Sequence, residues 1–524
     1  MSARASRWTW ALVAAALLTH PAALGDADCG ARPLGDAVDA DTADAGSVGL
    51  LQHRAEHLVP SEKQGSKGKQ PEKKHYWPHA RGDVDHYSQT PYKIPMDFNE
   101  SLLWKWDAPN YNTILWGVNI DADKNLYVSG IMGVWKFSPE GKQLWYAPMT
   151  APEMPTLVGD RLVGMQMNDA TAFALDIETG RPIWTKQVSP DNGAHGDFVE
   201  VHNGVAVVAM GAWVMLDAGG PSLYAAGINI ENGDTLWKFK PDCGLWNIMA
   251  LFPDEDTTIF NDYCGNVYRL GLFNGSLIWK SPGSFLSFTD GGSMIGPDGS
   301  TYTCSNQKLQ FGTVGTKGVL RKHRLSDGEL MWRVGLEYPC VNFPAVSADG
   351  RSVIVAPGPL ADAAKTKEAA FMPLKQRKGF YDEQAALVAN GTQRSFYHLP
   401  DLEAALMAFD AETGELQWRH DVYPYGNIAF AGDELRSWLN IAAPWFNVIP
   451  HCWPAHWSAP TVDPDGKIII GRSSGELLAY DPKRDVETSY RTNDGALMGG
   501  AAFAPGIMAI ATCSSVHVFK IPEA

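Results

Sequence analysis

Beyond about residue 95 the chain alternates apolar and polar residues in short runs, the periodicity of strands with one buried face, punctuated by Gly, Asn and Asp. One phrase recurs: apolar alternation, an acidic or Asn-containing turn, a glycine, then a tryptophan four residues after it. The pairs are Gly141/Trp145, Gly180/Trp184, Gly233/Trp237, Gly275/Trp279, Gly328/Trp332 and Gly414/Trp418. The fullest copies run from Ala174 to Trp184 and from Ala408 to Trp418. The phrase predicts a hairpin, with glycine where φ must be positive. A second hairpin signal precedes several copies, as at Pro297-Asp-Gly299, Ala348-Asp-Gly350 and Pro464-Asp-Gly466. Two hairpins per repeat make a four-stranded antiparallel sheet, which is one propeller blade.

The marks are Trp104, Trp145, Trp184, Trp237, Trp279, Trp332 and Trp418, with a degenerate equivalent at Tyr490. The closest of them set a unit of about 40 residues, the usual length of a four-stranded blade, and wider gaps are insertions. The expected fold is therefore all-β, an eight-bladed β-propeller over 96–524. Its ends explain each other: Leu102 to Asp107 reads as a lone outer strand, and Ala501 to Ile521 supplies three strands and stops. The N-terminal strand completes the last blade, which closes the ring and removes free sheet edges.

The phrase Asp-x-x-Thr-Gly-x-x-x-Trp, complete at Asp176 to Trp184 and Asp410 to Trp418, resembles the repeat of PQQ-type (quinoprotein alcohol dehydrogenase-like) propellers. The resemblance covers residues 101 to 521. That family includes quinoprotein alcohol dehydrogenases and the non-enzymatic scaffold of bacterial outer-membrane assembly. It implies that the repeat tryptophans dock blade against blade rather than stack on a ligand. The Trp-Asp ending of WD40 repeats is absent. A dehydrogenase of this family would use PQQ with calcium and would need calcium ligands, a base and a stacking floor. Many soluble members carry two adjacent cysteines near the quinone. This chain has no adjacent cysteine pair and no assignable calcium triad. Some membrane-bound relatives also lack the pair. The expectation is a non-catalytic binding or scaffold propeller without a cofactor; the alternative is a PQQ- and calcium-dependent dehydrogenase of alcohols or sugars.

Charge and address narrow the class. A net charge of -16 excludes a nucleic-acid partner, which needs a basic face. The one basic run, Lys63 to Lys74, lies in a Gly/Ser/Gln/Pro-rich stretch that reads as solvated linker. Arg4 and Arg7, the apolar run Trp8 to Leu18 and the small residues Ala23 and Gly25 predict a signal peptide over 1–25. Residues 26–95 lack periodicity and are expected to be a disordered leader. The expected location is the secretory pathway: extracellular, lumenal or periplasmic. No later run is long and apolar enough for a membrane span, and Cys29 lacks a lipoprotein setting. Asn99, Asn274 and Asn390 head N-glycosylation sequons. The 51 glycines, 34 prolines and 19 tryptophans suit short strands, tight turns and aromatic anchors.

Few residues carry candidate chemistry. Asp121 to Asn125 begins like a calcium loop, but Leu126 and Met132 stand where glycine and glutamate are needed, so a plain turn is expected. His195, His451 and His456 match no metal-ligand spacing, and no metal is assigned. In strands lettered A to D, the B–C turns and D–A connectors share one face. Cys243, Cys340 and Cys452 precede A strands, and Cys264, Cys304 and Cys513 end B strands. All six map to that face, with Cys243–Cys264, Cys304–Cys340 and Cys452–Cys513 as the expected bonds and Cys29 free. The same face receives the insertions at about 358–403 and 422–456, each with a short helical candidate (Ala361 to Leu374 and Asp433 to Leu439). It also collects Trp116, Trp246, Trp445, Trp453 and Trp457. Loops on a rigid scaffold are where binding residues reside. A protein, peptide, glycan or small molecule is the expected partner of a monomeric ring. Against this stands the simpler reading that the loops only plug the central channel.

Overall fold

In a computed structural model the described residues are 74–522 except 86, 110–113, 115, 152–153, 167–169, 189–197, 213–221, 246–247, 284–288, 290–291, 307–316, 341, 359–401, 426–430, 432–456, 473, 493 and 496–499. The chain forms eight four-stranded antiparallel sheets. Blade 1 spans β2(Val118–Ile120) to β5(Gln143–Ala147), blade 2 β6(Thr156–Val158) to β9(Pro182–Gln187), and blade 3 β10(Glu200–His202) to β13(Thr235–Phe239). Blade 4 spans β14(Leu251–Asp254) to β17(Leu277–Ser281), and blade 5 β18(Ser293–Gly296) to β21(Leu330–Leu336). Blade 6 spans β22(Ala345–Val346) to β25(Leu416–Tyr425), and blade 7 β26(Thr461–Val462) to β29(Val486–Arg491). Blade 8 joins both ends of the ring: β30(Ala502–Ala504), β31(Ile507–Ala511) and β32(Ser515–Lys520) take β1(Leu102–Asp107) as their outer strand. Lys105 pairs with His517 and Asp107 with Ser515, the closure expected from the ends.

The recurrent phrase folds as local chemistry requires. In blade 2 the Asp176 carboxylate accepts hydrogen bonds from the Thr179 amide and hydroxyl, and the Gly180 amide donates to the Asp176 carbonyl. Gly180 sits at φ 69°, a conformation that favours glycine. Asp410, Thr413 and Gly414 repeat the pattern in blade 6. In blades 1 to 6 the register shifts between strands C and D immediately beside the tryptophan's partner, for example between Ala174 and Leu175. Such a bulge sharpens the local twist and re-aims a side chain.

Here the bulge aims the indole at the next blade. Trp145 donates to the Ile177 carbonyl at 2.9 Å, Trp184 to Ile230 at 2.8 Å, Trp237 to Leu272 at 2.7 Å, and Trp279 to Leu325 at 2.9 Å. Trp104 and Trp332 do the same to Pro139 and Ala411. The next blade's turn glycine lies against each ring, so that a Cβ on Gly233 would come within 2.8 Å of Trp184. The tryptophans are docking residues, as the resemblance implied. Blade 7 departs from the scheme. Its C–D pairing has no register shift, Asp485 holds the turn at φ 53°, and Tyr490 packs on Phe98 and Phe519. Phe98 belongs to α1(Phe98–Ser101), capped by Asp97, which lies where β1 and β32 have no connecting turn.

Of the leader expected over 26–95, residues 26–73 lie outside the described residues. Residues 74–95 are folded, with Trp77, Tyr87 and Ile94 buried in clusters that also contain blade residues. Their apolar residues follow no strand or helix period because each meets a different blade. The helical candidates at Ala361 to Leu374 and Asp433 to Leu439 lie outside the described residues, as does Cys29.

Candidate functional site

Two mouths open on the ring axis, and the sequence places different material at each. The B–C turns and D–A connectors form one mouth. Cys243, in the connector to blade 4, is bonded to Cys264 in that blade's B–C turn, with Cα atoms 5.9 Å apart. Cys304, near the end of strand B of blade 5, is bonded to Cys340 in the connector to blade 6, at 5.6 Å. Cys513, in the B–C turn of blade 8, is also disulfide-bonded, and its expected partner Cys452 lies outside the described residues. The bonded cysteines thus stand on one face. Disulfides of this kind form in oxidising compartments.

Asp262 braces the first bridge. Its carboxylate accepts the amides of Cys243, Cys264 and Asn266 and the side chains of Asn266 and Tyr268. Burial nevertheless pushes its carboxyl up from the ordinary value against the pull of those donors. Cys243, Asp262 and Cys264 hold ligand-type atoms within 4.8 Å of one another, but the two sulfurs are bonded to each other. Asp121, the head of the calcium-like run, makes the same kind of turn. It accepts the Asp123 and Asn125 amides at 2.8 Å each and the Tyr127 hydroxyl at 2.9 Å, between strands ending at Ile120 and starting at Leu126.

Of the aromatics expected to form the loop-face site, Trp246, Trp445 and Trp453 lie outside the described residues, as do His195, His451 and His456. The other two pack against residues of the blades. Trp457 is 1% exposed, in the cluster between blades 6 and 7, with the Arg472 guanidinium 5.0 Å over its ring. Trp116 is half-buried and meets Phe198 edge-on at 5.6 Å. Asn99 and Asn274 are exposed, on α1 and in the C–D turn of blade 4, and Asn390 lies outside the described residues.

Residues 74–94 enter the ring at the opposite mouth, where Trp77 pairs with Ile120 at the end of strand A, and reach along the axis to the starts of the A strands, where Arg81 meets Phe343. The His75 ring is fixed by two backbone groups. Nδ1 accepts the Ala122 amide, so Nε2 carries the proton donated to the Gly159 carbonyl at 2.9 Å. His79 binds the buried Glu200 carboxylate. Arg81, 1% exposed, lies with its guanidinium 4.5 Å over Phe343. Burial lowers its pKa to about 9, opposed by the Glu200 charge. Around this tip pack Met154, Phe198, Met249, Met294, Phe343 and Ala459, drawn from six blades. Outside it, Lys74, Tyr76, Asp83, Pro91 and Tyr92 help line a pocket of about 340 Å³. Nothing in the strand pattern announced this segment.

A planar anionic quinone with its calcium needs a flat slot ringed by cations and carboxylate oxygens free for the metal. Along the described axis the space is filled by apolar side chains and one cation, and the central carboxylate is engaged by His79.

The family model described as outer membrane protein assembly factor BamB, of PQQ type, matches residues 99–240 and 132–290. No curated protein matches. Among solved structures, BamB from Moraxella catarrhalis is 13% identical, with TM-score 0.50, covering 80% of this chain and 97% of that one. The quinohemoprotein alcohol dehydrogenase ADHIIG from Pseudomonas putida HK5 is 11% identical, with TM-score 0.53, covering 86% and 81%. The computationally designed Ika8 protein is 9% identical, with TM-score 0.50, covering 80% and 100%. At such identities the likeness is one of fold, and it is shared by an assembly factor, a dehydrogenase and a design. By its ring this chain is an eight-bladed β-propeller, and over residues 99–290 its repeats match the PQQ-type family model.

Proposed function

We propose that the protein is a non-catalytic binding or scaffold propeller of the secretory pathway that captures a partner on its B–C/D–A face. The observation that carries the reading is the difference between the two mouths. One carries the described disulfides and receives the long insertions, whereas residues 74–94 enter the ring from the other. A stapled loop face on a rigid ring suits recognition of a protein surface, and the match to the BamB model favours a protein over a small molecule. No helix among the described residues is long and apolar enough to cross a membrane. The ring acts as a monomer.

The test uses the full-length protein purified from a secreting host. Partners cross-linked to it are compared with those of a Trp246→Ala/Trp453→Ala variant and a Tyr92→Ala/Lys74→Ala variant. Capture lost only in the first supports the reading, and capture lost only in the second overturns it. In a parallel arm PQQ and calcium are titrated in. A bound-quinone absorbance with dye-linked alcohol oxidation would replace scaffold by dehydrogenase.

A further inference from the structure

A propeller is a repeat array in which each blade touches its two neighbours, and such arrays can open piecewise. Residues 74–94 break that rule, because they touch the innermost strand region of every blade, nearly in blade order. Trp77 exchanges backbone hydrogen bonds with Ile120 of blade 1 at 3.0 Å each, and the Pro78 carbonyl accepts the Leu157 amide of blade 2 at 3.0 Å. His79 holds Glu200 of blade 3, and the Tyr87 hydroxyl accepts the Phe252 amide of blade 4 at 3.1 Å. Ser88 donates to the Met294 sulfur of blade 5 at 3.7 Å, and Gln89 to the Val346 carbonyl of blade 6 at 3.0 Å. Thr90 donates to the Val462 carbonyl of blade 7 at 2.9 Å, and the Val462 amide donates to the Ser88 carbonyl at 3.0 Å. The Trp77 ring meets Phe503 of blade 8 at 5.5 Å. The segment is itself held together, with His79 and Gly82 paired and the Ser88 amide on the Arg81 carbonyl at 2.7 Å.

We propose that residues 74–94 are an axial keystone that joins the eight blades into one cooperative unit, so that blades open together rather than singly. The segment is short, so its contacts share one backbone. Loosening it at one blade removes the geometry that serves the others. The buried Arg81 and Glu200 charges make its seating all-or-none, since a partly withdrawn tip strands a charge in apolar surroundings.

Native-state hydrogen exchange on the full-length protein tests this. The Ile120, Leu157, Phe252 and Val462 amides all donate to the segment or to its neighbours. They are expected to share one opening rate. Glu200→Gln removes the countercharge of Arg81 and should speed all four by about tenfold or more, including blades 1 and 7, which Glu200 does not touch. Tyr87→Phe deletes one acceptor without leaving a cavity, and keeps the test decisive should Glu200→Gln not fold. It should speed the same four amides by roughly three- to tenfold. Faster exchange confined to blade 3 in the first variant, or to blade 4 in the second, would overturn the keystone.

Discussion

In blades 2, 3, 5 and 6 one turn carbonyl serves two donors from the blade before it. Ile177 accepts Trp145 and Lys136, and Ile230 accepts Trp184 and Arg161. Leu325 accepts Trp279 and Arg269, and Ala411 accepts Trp332 and Lys322. The tight approach of glycine and indole beside these carbonyls sets a sharp contrast. Gly204→Ala meets open space at φ 82° and should cost about 1 kcal/mol, the strain of the backbone alone. Gly233→Ala, at φ 74° and against Trp184, should cost about 2–3 kcal/mol in urea unfolding, because overpacking adds to the strain. Two buried histidines make a second prediction. Burial first, then the charge of Arg321 for His323 and of Lys105 for His517, lowers each pKa to about 4. Below pH 6.5 the unfolded chain takes up protons that the folded ring refuses. Stability present at neutral pH is therefore lost as pH falls from 6.5 toward 4, by on the order of 3 kcal/mol for each histidine. The midpoint of thermal unfolding should drop over that window, and less so in His517→Asn. The Asp, Thr and Gly of the repeat were legible in the sequence because their turn contacts are local, and the Trp because it stands four residues after the glycine in copy after copy. Lys136, Lys322, Arg161 and Arg269 reach the same next-blade carbonyls as the tryptophans but were not legible, because no recurrent spacing marks them.

At the scale of elements, β1 could be read from the sequence because three strands at the other end called for a fourth. Residues 74–95 could not, since Trp77, Tyr87 and Ile94 satisfy contacts around a circle rather than a periodic face. The two parts of the segment 26–95 should therefore behave differently. Deleting 26–73 should leave the melting midpoint unchanged. Deleting 26–95 should lower it by on the order of 5–10 °C in calorimetry, since buried aromatics and charges lose their partners. A common midpoint for the two truncations would mean that the N-terminal segment contributes nothing to the ring. The cysteines make a second case at this scale, because blade topology alone placed them on one face and the two fully described bonds follow the expected pairing. Non-reducing peptide mapping should recover both, together with Cys452–Cys513, and leave Cys29 free.

At the scale of the whole molecule, the ring was legible because it repeats, and the site was not because recognition residues repeat nowhere. The loop-face tryptophans show the difficulty. Trp457 reads like its neighbours in sequence, yet Arg472 and the blade 6–7 cluster claim it for packing. Closing the ring from both ends also has a consequence in time. Trp106 must wait for Val516, and Asp107 for Ser515, about 400 residues of synthesis or on the order of 20–80 s at ordinary elongation rates. Until then β1 has no neighbour. The first seven blades can be made and can pair internally, but the ring has a seam until the final strand arrives, and a nascent chain stalled just short of Ser515 presents two sticky edges to its neighbours on the same message.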